Sequence, residues 1–339
     1  MESGNSKQSK RSLSVVRKER STRSRATLDS LPTEVLEKIF LYSLNLSLPR
    51  AAPLIGAKLS SRVTLLRLFI WAFHDTWDQY FGVAVRHGVL LGPDLPHDKD
   101  GAIPMIHDGD PVLQTAVLAL PCVDIDFILQ AQQTWADKYA KDRWYQHAIV
   151  GLDEGDAGFN PVRGLIHNFD GGFHHFNARQ CFEADYQAAL LWSTLQHWLG
   201  AQVWGFQDVH PLTRVPINLI TGPWDDEKLR RLFWLARGGA LNLGERGHAP
   251  APPWEIRVEL FRNSIIDVLE PVHLVCSFLH SQGFFEDLPG EVVRDELQRL
   301  TRRIEWGADS PHTRSQLREF ERMLRNSTGH PTASYEFSQ

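Results

Sequence analysis

The chain has 339 residues, a formal net charge of −5, 42% hydrophobic and 23% charged residues, a composition suited to one large or two medium folded domains. Three scattered cysteines, Cys122, Cys181 and Cys276, exclude a disulfide framework and give no zinc-ligand spacing. No run of about 18 apolar residues occurs and the first residues lack a secretory apolar stretch, so a soluble intracellular protein without membrane contact, cytoplasmic and/or nuclear, is expected.

Residues 1–27 carry eight basic and two acidic side chains, a net +6, which leaves −11 for the remainder. So polar a segment cannot offset its ordering entropy by burial, and a disordered basic tail is expected. Its stretch KRSLSVVRKERSTRSR is open to reading as a nuclear address, a phosphorylation tail or a plain solvated tail. The acidic remainder argues against nucleic acid as a partner, because phosphate neutralisation needs a basic surface.

From Leu31 apolar residues recur at helical spacing: Leu31, Val35, Leu36, Ile39, Phe40 and Leu44. Residues 31–40 read LPTEVLEKIF. Pro32 suits a helix's first turn, and Glu34 complements the positive end of the helix dipole. Leu31-Pro32, Glu34, Val35-Leu36 and Ile39-Phe40 match, position by position, the opening of an F-box, and residues 31–75 resemble a divergent F-box of the kind found in many fungal proteins. The usual Val-Cys-x-x-Trp run is absent. In its place stands LPRAAPLIGAKLSS (48–61), where Pro49 and Pro53 confine or shorten the second helix. The resemblance implies a three-helix unit that completes its core against a Skp-family adaptor and thereby joins a cullin–RING ubiquitin ligase of the SCF type. It implies Leu31, Pro32, Glu34, Val35, Leu36, Ile39, Phe40 and Leu44 as adaptor-binding residues, and no catalytic residue, cofactor or metal in this chain.

Residues 88–110 are rich in Gly, Pro and Asp and read as a linker or long loop. The division expected is therefore a tail at 1–27, an F-box at 28–80, a linker at 81–110, a predominantly helical substrate-recruiting domain at 111–326 and a disordered tail at 327–339. Helical periodicity marks about 124–145, 178–198, 225–236, 254–269, 272–280, 291–305 and 314–325. The fold class is mainly α: a three-helix N-terminal unit and then a helical array with irregular loops and few short strands, Gln202–Phe206 being the best strand candidate. The stretches LARGGALNL (235–243) and RIEWGADSP (303–311) are similar to the helix-exit turns of ankyrin repeats, with Gly239 and Gly307 about two repeat periods apart. No T-P-L-H signature accompanies them, so degenerate ankyrin-like pairs and unrelated glycine-ended helices both stand.

Little in the chain points to catalysis. His167, Asp170, His174 and His175 lie close together, but their spacing matches no zincin pattern and favours a structural loop over a metal site. No phosphate-cradling loop and no nucleophile elbow occurs. Asp225-Asp226-Glu227 and HDGDP (107–111) each read as the approach to a helix. Eleven tryptophans are spread over the body, most of them expected in helix packing. The expectation is a non-enzymatic adaptor whose C-terminal helices bind a protein substrate. The competing readings are a helical interaction scaffold without ligase association, and a metal-dependent enzyme centred on His167, Asp170 and His174.

Overall fold

The computed structural model describes residues 27–81, 84–86, 89–91, 107–143, 145, 175–194, 208–240, 252–279, 284–285 and 287–327. The basic tail up to 26, the strand candidate at 202–206, His167 to His174 and the segment from 328 lie outside them. The described chain is mainly helical and divides into two compact units, Met1–Leu65 and Leu66–Gln339.

The first unit holds α1 (Thr33–Ser43), a 3-10 turn at Leu48–Arg50, α2 (Pro53–Leu59) and the first turn of α3 (Arg62–Tyr80). Proline sets the boundaries as its chemistry dictates: Pro32 precedes α1, while Pro49 and Pro53 stand in the first turn of the 3-10 turn and of α2. This keeps the second helix to seven residues. The buried apolar residues of the unit are Leu36, Phe40, Leu48, Ile55 and Leu59. α2 runs so close to the preceding turn that a Cβ on Gly56 would stand 2.6 Å from the Pro49 carbonyl oxygen. Lys58 Nζ donates to the carbonyls of Asp29 (2.8 Å) and Leu31 (2.6 Å), tying α2 to the residues ahead of α1.

The second unit begins within α3. A short antiparallel ribbon of β1 (Ala84–Arg86) and β2 (Val89–Leu91) pairs Ala84 with Leu91 and Arg86 with Val89, inside the stretch read as a linker. Then follow α4 (Pro111–Leu118), α5 (Ile125–Tyr139), α6 (Ala178–Thr194), the single turn α7 (Ile217–Ile220), α8 (Asp226–Arg237), α9 (Trp254–Phe261), α10 (His273–Leu279), α11 (Gly290–Trp306) and α12 (Pro311–Ser327). Aspartates open three of them. Asp110 accepts from Val112 and Leu113, Asp124 from Phe127, and Asp225 from Lys228, each satisfying first-turn N–H groups that have no partner within the helix.

α8 is the centre of this unit. It packs against α5, α6, α7 and α10, and Leu232 to Arg237 are all buried. Around it lies an aromatic cluster: Phe73 meets Trp234 edge-on at 5.9 Å, Phe69 meets Phe127 at 5.6 Å and Trp77 meets Trp135 at 5.8 Å. Trp71 and Trp306, by contrast, are exposed. Two polar clusters in the interior are paired, which offsets their desolvation. Arg237 bridges Asp185 (2.7 Å) and Asp208 (2.9 Å). Gln114 donates to the Ala72 carbonyl and accepts from His210 N and Thr213 Oγ1.

Several elements differ from the sequence expectations. α5 ends at Tyr139 rather than 145, and α9 ends in a π-helical turn at Arg262–Ile266 rather than running to Leu269. The two ankyrin-like exits do not share a geometry: Gly239 is left-handed at φ 97°, whereas Gly307 is extended at φ −75°, ψ 150°. Among the described residues, no helix is long and apolar enough to cross a membrane.

Candidate apolar docking face

The residues that open α1 sort onto two sides of the helix. Leu36 and Phe40 lie one turn apart and are 0% and 1% exposed. Val35, Ile39 and Tyr42 sit at i, i+4 and i+7, within an arc of about 60° whose centre is turned about 110° from the buried pair, and are 42%, 36% and 79% exposed. At 1.5 Å per residue this second stripe runs about 10 Å along the helix. Glu34 and Lys38, both exposed, lie beside it.

The expected adaptor-binding set therefore divides. Val35 and Ile39 present apolar surface, Pro32 and Glu34 are exposed, and Leu31 and Leu44 are half-buried, Leu44 in a left-handed cap at φ 49°. Leu36 and Phe40 are buried and belong to the interior of this unit. Tyr42, seven residues after Val35, extends the exposed stripe. Leu28, Leu54 and Val63 add exposed apolar side chains elsewhere in the same unit. Six of the thirteen large apolar side chains exposed among the described residues fall in residues 27–65, so this small unit carries more than its share of uncovered surface.

The electrostatics around the stripe are mild. The Asp29 carboxyl is held below its ordinary value by a hydrogen bond with the Thr27 side chain, aided by its own backbone N–H and, more weakly, by Lys58. Ser61 Oγ accepts from Thr64 N at 3.1 Å and so caps the start of α3.

Of the histidine loop only His175 is described, and it is exposed. Among the described residues no group of three or more His, Cys, Asp or Glu side chains could hold a metal ion. Cys276 is buried and its thiol is pushed up to about 12 by desolvation, and Cys181 is buried against the Tyr145 hydroxyl at 3.3 Å.

No family model, no curated protein and no solved structure matches the chain.

Proposed function

We propose that this chain is the substrate-recognition subunit of an SCF-type cullin–RING ubiquitin ligase. Val35, Ile39 and Tyr42 dock on a Skp-family adaptor, and the unit from Leu66 onward takes a protein substrate. The observation that carries the reading is the exposed stripe on a helix whose opening residues, LPTEVLEKIF, resemble an F-box. A helix that keeps Val and Ile in water while burying its Leu and Phe is built for two partners, its own core and another protein. Covering Val35 and Ile39 contributes about 2 kcal/mol each. The chemistry asked of this chain is proximity: holding a substrate near a charged conjugating enzyme raises the effective concentration of its lysines and needs no catalytic residue here.

Co-purification with the Skp-family adaptor tests the reading, with Val35→Asp/Ile39→Asp as the variant. Both positions are exposed, so the variant keeps its helical circular dichroism. Wild type is expected to retain the adaptor and the variant to lose it. A folded wild type that captures no adaptor sinks the ligase reading and leaves the helical scaffold.

A further inference from the structure

We infer that the outer face of α12 is a docking surface for an extended, carboxylate-rich peptide segment. The observation is a row of arginines. Arg314, Arg318, Arg322 and Arg325 recur at i, i+4, i+8 and i+11, which places all four on one side of the helix. All four are exposed, while Leu317, Phe320 and Leu324 on the opposite side are buried. The row spans about 16 Å at 1.5 Å per residue, the length of about five extended residues.

The charge on this face is not self-compensated. Glu319 pairs with Arg322 at 2.6 Å, and Glu321 pairs with Arg325 at 2.6 Å while accepting from Thr301 of α11. Asp309, just ahead of α12, gives its carboxylate to Arg303 at 2.7 and 3.0 Å, and Arg314 Nε donates to its backbone carbonyl. Arg318 has no carboxylate within ion-pair distance among the described residues. Arg314 and Arg318 thus stand on adjacent turns with no salt bridge among the described residues, Arg318 sharing only a through-space attraction to the Glu321 that Arg325 already holds, in a chain whose residues 28–339 sum to −11.

The residue type selects the partner. Guanidinium forks bind carboxylates bidentately, and every cation in the row is arginine rather than lysine. A nucleic acid fits less well, because the only ring on α12 besides His312 is Phe320, which is buried and offers no stacking platform. As the substrate surface of a ligase adaptor this face rests on the function proposed above. As a peptide-binding surface it is tested without any adaptor, so failure of one is distinguishable from failure of the other.

The test is fluorescence anisotropy of a labelled peptide with five consecutive glutamates, titrated with the full chain at low ionic strength. The five-glutamine peptide and a five-nucleotide thymidine oligonucleotide serve as comparison probes. The glutamate peptide is expected to bind and the other two not to. Arg314→Glu/Arg318→Glu is expected to weaken binding by at least about tenfold with unchanged circular dichroism. Because the tail at 1–27 is also basic, equal binding by wild type and variant would assign the attraction to the tail and overturn the proposal. Absent peptide binding, or comparable oligonucleotide binding, overturns it as well.

Discussion

Val35 and Phe40 are five residues apart on one helix and face different media. The difference comes from angle alone: five residues turn the helix through 500°, about 140° beyond a full turn. Gly56 is placed with similar economy. Exchanging a helix-interior glycine for alanine ordinarily stabilises by about 1 kcal/mol. Here the added Cβ would meet the Pro49 carbonyl at 2.6 Å, so Gly56→Ala is expected to destabilise the first unit by about 1–3 kcal/mol in chemical denaturation. A stabilised variant would show that the turn yields freely. His210 gives a pH dependence. Its Nδ1 accepts from Leu212 N at 3.1 Å, and burial lowers its pKa below 6.5, with the His107 backbone and Asp110 opposing. His273 shifts the same way, through burial and then the neighbouring His312. The folded chain therefore takes up these protons less readily than the unfolded one. Their stabilisation is complete above about pH 6.5 and is lost as pH falls through the lowered folded values. Glu227, raised above 4.5 by burial, gains on acidification and sets the lower edge of the usable window. The urea midpoint is expected to fall between about pH 7.5 and about pH 5.5. A midpoint that stays level or rises over that range would contradict the account.

Among the elements, helix starts were the legible part. Asp110, Asp124 and Asp225 stand where an aspartate before an apolar periodic run announces a cap, and each makes the expected bond to the first turn. Helix ends were less legible, because they depend on residues distant in sequence. α9 gives way to a π-helical turn where Arg303, from α11, donates to the carbonyls of Ile265, Val268 and Leu269. The same guanidinium grips Asp309 in the turn that leads into α12. Nothing in residues 254–269 announces this, since the donor lies some 35 positions away. Arg303→Ala leaves those carbonyls and a largely buried carboxylate without their donor. It is expected to cost about 2–4 kcal/mol and to raise amide exchange over both turns together. Faster exchange in only one of them would mean that the arginine does not couple them. The α1 stripe was half legible. Apolar periodicity marked the helix, but which apolar residues turn inward depends on where α2 packs. The arginine row of α12 was open to a count at helical spacing, which apolar periodicity alone passes over.

At the scale of the whole molecule, two compact units divide the labour that the reading assigns. The first keeps a large share of the apolar side chains among its described residues, 27–65, uncovered. The second builds its interior around α8, with aromatic rings and the Arg237 bridge between Asp185 and Asp208. Such an interior is close-packed, and the surface it supports can vary without disturbing it. The mainly helical class followed directly from periodicity. The partner surfaces did not, because exposure is a property of packed chains.

Calorimetric titration of the Skp-family adaptor with the full chain, beside Val35→Asp/Ile39→Asp and Phe40→Ala, tests the central claim most directly. The account predicts that wild type binds with a negative heat-capacity change, the mark of apolar burial. The double aspartate variant stays folded and does not bind. Phe40→Ala loses about 3–5 kcal/mol of stability, because its ring belongs to the interior. Adaptor binding that survives the double aspartate variant, or a folded wild type that never binds, would contradict it.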